Sequence, residues 1–576
     1  MERGATPDTT SGARLTPVTT ECECAVRTLV LTETETTLYC LFTLFRLRRP
    51  AIPPKRWRSS KIGGQEMARS AMEQGATPDT TRDNFGNTNK KDNYPEFTPM
   101  KTIAFIFTLL VCVPAVAQRY DRFFTDATMR VDYYHTGTKG QEAMALDKVY
   151  DEGSWPGSKT VLIDTLNLGD YMVRVYDVLT NSLIFSHGFS SMFNEWQTTD
   201  EAVNGIVRTF HETVRFPFPK QRVMVTIARR DKFVAGGEKL TFREVFSTTI
   251  NPNDPTEVNR EKRKSPFATF DILNNGPAET SVDLLILGDG YTKLEMEKFR
   301  KDARFFADAL LKTSPFKEHK KSFNVRAIEV ISEESGIDKP DKNIWKKSAL
   351  NTMYNTFGSA RYVLIEDNKT LRDIAGSVPY DYVTVLINDD RYGGGGIYNQ
   401  YTTAYTKNDV PGQEWQMEYV YVHEFGHCFG GLGDEYYTSQ VSYTEFYPKG
   451  IEPWEPNITA KKLKADLKWK SLVDESTPIP TPWDKSEFDS LEALRGKLDR
   501  LAPDYYQKRE PLIKKVTQLL KSTKYAGRVG TFEGASYVSK GLYRPAADCR
   551  MFTLSLADFD PVCSAAIENV IVTHTR

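Results

Sequence analysis

The stretch Val422–Tyr437 reads VHEFGHCFGGLGDEYY, with two histidines four residues apart and a glutamate directly after the first. On a helix, positions i and i+4 lie one above the other on the same face. His423 and His427 can therefore reach one ion, and Glu424 stands one step round, where it can meet a water held there. A catalytic zinc takes three protein ligands and keeps a fourth position open. The chain has seven histidines, and beyond residue 266 only His319 and His574 remain to supply the third ligand. His319 lies in a lysine-rich polar stretch and His574 almost at the chain end, so a carboxylate is the better candidate. Gly430-Gly431 should stop the helix, because glycine readily takes the left-handed conformation at a C-cap. The chain then doubles back and can present Asp434 or Glu435. Asp434 is favoured, with Glu435 as the alternative. The plainer reading of the motif is a helix with two core histidines and a surface glutamate. The predicted helix Trp415–Gly430, its glycine stop and the acidic pair together favour a metal hydrolase.

That helix needs a framework. Val282–Leu287 reads as a buried strand ended by Gly288-Asp289-Gly290. A helix follows from about Lys293 to Leu311, with Met296, Phe299, Ala303, Phe306 and Leu310 on one face. Asn324–Ile331 is the next strand, and the β-α-β order fits a parallel crossover. The Gly288–Gly290 turn lacks the Lys-Ser/Thr of a phosphate loop and reads as a plain strand-to-helix turn. Tyr382–Ile387 is another strand, followed by Gly393–Gly396 and the aromatic–polar run Ile397–Tyr405. The functional reading of this glycine run is an edge strand to which a peptide substrate adds by backbone hydrogen bonds; the alternative is a flexible loop. After the motif, Glu445–Asn457 reads as a loop near the cleft and Pro478–Pro482 as an extended linker. From Lys485 to Lys524 the pattern is helical and charged, a hairpin broken at Pro503, with a structural role favoured over a lid or docking arm.

Residues 118–250 carry short runs rich in β-branched and aromatic residues: Met129–Tyr134, Tyr171–Asp177, Leu183–Ser186, Arg222–Ala228 and Glu244–Ile250. Thr180-Asn181-Ser182 suggests a hairpin turn. The expected architecture is an all-β sandwich. His135, His187 and His211 show no ligand spacing and read as structural. Residues 251–265, with Asn251-Pro252-Asn253-Asp254-Pro255 and the basic run to Lys264, read as an exposed linker to the domain 266–576.

The 576 residues suggest two or three domains, and 40% hydrophobic and 12% aromatic content are globular values. A formal net charge of -1 gives no support for nucleic acid as a partner. Residues 1–99 do not read as a domain; GATPDTT at Gly4–Thr10 recurs at Gly75–Thr81, too little for a repeat array. Met100-Lys101, the apolar run Ile103–Val113 and Ala115-Val116-Ala117 form a secretory signal, residues 100–117, cleaved after Ala117. Translation is then expected to begin at Met100, with 1–99 a gene-model extension; the alternative is a disordered N-terminal segment. No transmembrane segment is expected after cleavage. Seven cysteines are too few for a disulfide scaffold. In an oxidising compartment Cys549 and Cys563 could pair, and two reduced buried thiols are the alternative. Cys428 reads as a small apolar residue.

The block HEFGHCFGGLGDEYY resembles the active site of the immunoglobulin A peptidase family of zinc metallopeptidases. Leu287–Thr292, Gly541–Pro545, Asp548–Met551 and Phe559–Cys563 are similar to it too. The N-terminal part, including Arg130–Tyr134 and Asn251–Glu257, is similar to the β-rich domain that accompanies this peptidase in gut Bacteroides-type members. The resemblance covers roughly residues 119–576 and implies an α/β zincin domain, metzincin-like, with a mixed sheet and an active-site helix. It implies zinc, with His423 and His427 as ligands and Glu424 as catalytic base. It also makes Met551 the residue of an apolar floor beneath the metal. Zincins of the metzincin type place a glycine three residues after the second histidine and a ligand three further on. Gly430 matches that glycine, but the ligand position falls on Gly433, so Asp434 needs a turn one residue longer. The expected protein is an exported zinc endopeptidase, secreted, periplasmic or on the surface of a Gram-negative cell. Its expected substrate is a protein or glycoprotein, immunoglobulin-like substrates included. Zinc-dependent hydrolysis of non-peptide amides and a non-catalytic surface binding protein are the alternatives. Tyr436, Tyr437, Tyr543 and Arg544 are candidate donors to the oxyanion.

Overall fold

The computed structural model describes residues 120–231, 241–262, 265–407, 410–438, 447, 450–499 and 502–576. The expected leader at 100–117 and everything before it lie outside the described residues. Long strands come first: β1 (Phe124–Thr138), β2 (Gln141–Gly153), β3 (Tyr171–Asp177), β4 (Ser182–Phe189), β5 (Arg208–Pro219), β6 (Val223–Arg230), β7 (Phe242–Ile250) and β8 (Val258–Asn259). Short helical turns α1 (Tyr120–Phe123), α2 (Met192–Trp196) and α3 (Asp200–Val203) punctuate them. They form two four-stranded sheets, ordered β5-β1-β2-β8 and β4-β3-β6-β7. Alternate residues of both sheets, among them Val131, Tyr133, Val173, Val175, Phe216, Val225 and Ile227, share one buried cluster, as the two-residue period of a strand requires. Asn181 takes the left-handed conformation, φ 53°, at the β3–β4 turn.

Two strands here went unread. β2 alternates apolar residues with charges too weakly to stand out, and Pro217 and Pro219 interrupt β5. The segment read as a linker is in part structured, since Val258 and Asn259 extend the first sheet by pairing in parallel with Val149 and Tyr150.

The C-terminal region is mixed α/β. Its strands are β9 (Thr269–Leu273), β10 (Val282–Asp289), β11 (Phe323–Ile328), the short pair β12 (Thr352–Met353) and β13 (Leu364–Ile365), β14 (Tyr382–Ile387), β15 (Gly394–Ile397), β16 (Tyr401–Tyr405), β17 (Phe532–Ala535) and β18 (Val538–Arg544). Its helices are α4 (Met296–Lys312), α5 (Asn368–Ala375), α6 (Trp415–Gly430), α7 (Lys485–Gly496), α8 (Tyr505–Ser522) and α9 (Pro561–Thr575). A six-stranded sheet runs β15-β16-β14-β10-β11-β9, with β10, β11, β14 and β16 parallel and the strands at both edges antiparallel. β10 to α4 to β11 is the crossover foreseen from the hydrophobic periodicity. At its turn Asp289 is fully buried and accepts from Gly290 N, Leu350 N, Thr352 N and the Ser332, Ser348 and Thr352 hydroxyls. This carboxylate therefore organises the following loops, and the turn is structural.

α4, α6 and α9 cover one face of the sheet through a core that includes Phe299, Phe306, Phe316, Phe425, Phe429 and Ile567. The other face carries α5 and the 330–365 loops around Leu285, Leu287, Leu350, Val383 and Val385. α7 and α8 form the foreseen hairpin and insert Phe488, Val516 and Leu520 into the first core. Within Pro478–Pro482 the three prolines are exposed and Thr481 is buried, its amide bonding Thr531 O at 2.9 Å. The two regions are tied by polar contacts. Arg130 Nη2 lies 2.7 Å from Asp373 Oδ1, and Arg215 donates to Tyr380 O at 2.9 Å while its guanidinium stacks 3.6 Å from the Tyr380 ring. Among the described residues no helix is long and apolar enough to cross a membrane.

Candidate metal centre

α6 runs from Trp415 to Gly430, the span read from the sequence, and buries Tyr419, Tyr421, Val422, Phe425 and Phe429 against the sheet. Gly431 ends it in the left-handed conformation, φ 60°, with its N–H on His427 O at 3.1 Å. The helix sits close to β15, and the glycines there allow it. A Cβ at Gly396 would lie 2.1 Å from Glu424 O, and one at Gly394 would lie 2.8 Å from Val420 Cγ1. The outer rim of β15 is partly covered, because Val363 N bonds Gly394 O and Gly394 N bonds Arg361 O, at 3.2 and 3.1 Å. The glycine run is thus neither a flexible loop nor a wholly open edge; it seats the helix that carries the histidines.

Beyond the cap the chain turns back under tight control. Asn457 Oδ1 accepts from Gly433 N at 2.7 Å, and its amide donates to Gly433 O and to Glu435 Oε1. Glu435 N bonds Met551 O, and Ser536 N bonds Asp434 O, each at 2.9 Å. The result is a convergent set. His423 Nε2 and His427 Nε2 are 3.2 Å apart, and Asp434 Oδ1 lies 3.0 Å from the first and 3.3 Å from the second. The ligand edges of a tetrahedral site with bonds near 2.0–2.1 Å are about 3.3 Å long. His423 Nδ1 faces Arg550 O at 3.1 Å and His427 Nδ1 faces Leu432 O at 2.6 Å. A carbonyl only accepts, so both Nδ1 atoms carry hydrogen, and each Nε2, once deprotonated, offers its lone pair inward. Asp434 Oδ2 accepts from the Tyr537 hydroxyl, whereas Oδ1 is buried with no hydrogen-bond partner.

These residues fit a divalent cation, and the electrostatics of the pocket agree. Burial opposes charge on His427, yet Asp434 beside it pushes the imidazole up to about 10. Burial also opposes charge on Asp434, and the two histidines hold it well below the usual carboxylate range. Burial pushes Glu424 up, offset in part by the same histidines. The buried Asp434 carboxylate is thus stabilised by positive charge on the imidazole side, the place a cation would occupy.

Asp434 is the carboxylate brought to the histidines. Glu435 points away into a separate buried group with Cys549, Asp560 and Cys563. Neither His319 nor His574 approaches; the first lies 3.8 Å from Glu568 and the second hydrogen-bonds Tyr382. Met551 is fully buried, its sulfur 3.1 Å from where a Cβ would stand on Gly426, between the two histidines along α6. Of the four oxyanion candidates, Tyr436 lies beside the centre, its ring stacked 6.1 Å from His423. Tyr437 is buried and donates to Asp489 on α7; Tyr543 is buried in β18; Arg544 is fully buried between Trp483 and Phe552. Arg361 was missed. Its guanidinium donates to the Tyr436 hydroxyl at 3.4 Å. Tyr436, with Asp434 and Glu424 beyond it, pushes Arg361 above its already high ordinary value. It comes from the 330–365 loops, about sixty residues before the motif, and no local pattern marks it.

A family model described as IgA Peptidase M64 matches residues 270–571, and one described as Peptidase M64 N-terminus matches 119–241. The chain belongs to the IgA Peptidase M64 family. It is a metallopeptidase, so it acts on protein substrates and uses a metal. The M64 match spans β9 to α9 and contains the His423–His427–Asp434 group; the N-terminal match spans β1 to β6. No curated protein sequence matches this M64 peptidase significantly.

Proposed function

We propose that this M64 peptidase is an exported zinc endopeptidase of zincin-like fold, with an N-terminal β-sandwich. In this reading His423, His427 and Asp434 hold the metal. The observation that carries it is the convergence of two Nε2 atoms and the partnerless Asp434 Oδ1 at tetrahedral spacing. When bound there, zinc supplies Lewis-acid polarisation of the scissile carbonyl and activates water.

The chain's own residues do the rest. Glu424 is partly buried beside the centre, and burial raises its proton affinity. As general base it takes a proton from the attacking water and passes it to the leaving amine nitrogen. Arg361 and Tyr436 present a fixed positive charge and a hydroxyl beside the centre, suited to an oxygen that gains negative charge. The Leu432 and Arg550 carbonyls hold both imidazoles in the tautomer that binds metal. The family's name points to immunoglobulin A. We propose an extracellular protein or glycoprotein as substrate, with immunoglobulins one class to test. Residues 100–117 support export, and N-terminal sequencing of the mature protein should begin at Gln118; a start upstream of Met100 contradicts export by this signal.

Chelation followed by metal return, read on a panel of proteins and glycoproteins, tests the whole. Stripping metal should abolish cleavage and zinc should restore it. Undiminished cleavage by metal-free protein overturns the reading, and cleavage of small amides alone favours the non-peptide alternative.

A further inference from the structure

Behind the ligand loop lies a second cluster that peptide hydrolysis does not use. Glu435, Cys549, Asp560 and Cys563 are all buried, and one ligand atom from each lies within 4.8 Å of all the others. Cys549 Sγ and Cys563 Sγ are 3.8 Å apart, and Cys563 Sγ is 3.3 Å from Glu435 Oε1. In a tetrahedral site with zinc–sulfur bonds near 2.3 Å, two sulfurs stand about 3.8 Å apart. Cys549 Sγ also receives two backbone donors, Met551 N at 3.5 Å and Asp560 N at 3.3 Å; burial pushes both thiols up, so a thiolate there needs a cation beside it. Two carboxylate oxygens in the cluster, Glu435 Oε2 and Asp560 Oδ2, are buried with no hydrogen-bond partner. Asp560 Oδ1 is engaged at the N-cap of α9, accepting from Val562 N and Cys563 N, which leaves Oδ2 as its free donor.

We propose that Cys549, Cys563, Glu435 and Asp560 form a second, structural site for a thiophilic divalent cation of the zinc class. Two thiolates select such a metal over magnesium or calcium, and four protein ligands leave no open position, as in structural rather than catalytic zinc sites. Four acidic groups packed this closely and this deeply need either a cation or retained protons among them. Arg544 is nearby, but its hydrogen bonds go to the carbonyls of Glu533, Gly534 and Ala547. The placement gives the metal a role. Glu435 directly follows Asp434, Cys549 stands two residues before Met551, and Asp560 and Cys563 open α9. One ion would pin the ligand loop, the floor beneath the histidines and the C-terminal helix together.

The test is metal content and cobalt(II) spectroscopy on the full chain, because a thiolate–cobalt charge-transfer band reports sulfur ligation and the His423–His427–Asp434 site has no sulfur. Two equivalents of zinc per chain are expected. His423→Ala with His427→Ala should keep one equivalent and the band, and Cys549→Ser should lose the band. This separates the proposal from the catalytic reading: loss of the histidine-dependent equivalent alone speaks to catalysis, and loss of the sulfur-dependent one alone to this site. A wild-type chain without the charge-transfer band, whether its thiols count as reduced or as a disulfide after denaturation, overturns the second site. The wild-type spectrum decides even where the serine variant fails to fold.

Discussion

Asp434 Oδ1 and the two Nε2 atoms meet because two unrelated carbonyls, Leu432 O and Arg550 O, orient the rings, and Tyr537 takes the other Asp434 oxygen. The histidines and Glu424 were legible from their spacing alone. Asp434 was legible in part: the histidine census narrowed the candidate third ligand to two neighbouring carboxylates, but which of them faces the histidines depends on Asn457, 22 residues beyond Glu435. Arg361 was not legible, because its relation to Tyr436 is purely tertiary. If its charge stabilises the reacting carbonyl oxygen, Arg361→Ala should lower kcat by roughly 10²-fold or more with little change in KM or metal content. A rise in KM alone would make Arg361 a substrate-binding group instead.

At the level of elements, α6 and β15 behave as one part. The helix span was readable because apolar and aromatic residues run to a glycine stop. The meaning of Gly393–Gly396 was not, since a glycine run fits a loop, an edge strand or a close approach equally well in sequence. The geometry decides: Gly396 faces the carbonyl of Glu424 itself. Gly396→Ala should therefore displace α6, costing about 1–3 kcal/mol of stability. Cleavage should fall about 10²-fold, as expected when reacting groups are misplaced by an ångström. Urea melts and steady-state kinetics measure both, and an alanine variant of unchanged stability and rate would refute this account of the glycines. The long β2 and β5 escaped reading for the converse reason: their fit to the β1 sheet lies in cross-strand pairs, not in a periodic pattern.

On the scale of the whole molecule, a buried acidic pair lies in the mixed sheet beside Arg215 of the N-terminal sheets. Asp283 and Asp381 sit at the foot of β10 and β14, where Asp381 Oδ2 accepts from Asp283 N at 2.9 Å. Burial pushes each up to about 7; their mutual repulsion adds to this at Asp283, and Asn324, Arg326 and Arg215 offset part of it. A carboxyl whose pKa is raised by folding stabilises most below its unfolded value near 3.9, and that contribution is lost as pH climbs toward 7. His574, 3.6 Å from Asp381, is pushed down to about 4 by burial and titrates with the opposite sign between about pH 4 and 6.5. The informative quantity is thus the difference between variant and parent. Asp283→Asn should gain stability over the parent progressively from pH 4 to 7, reaching at most roughly 4 kcal/mol at pH 8. A difference independent of pH would contradict the buried pair. Sequence alone placed both strands but not this pair, because the two aspartates lie far apart along the chain.

The central claim is that Glu424 works as a base beside a metal held by His423, His427 and Asp434, and Glu424→Gln tests it most directly. Measured on a protein substrate with zinc content determined on the same sample, the variant should keep its metal and lose at least about 10²-fold in kcat. Full metal content with unchanged cleavage would contradict the account.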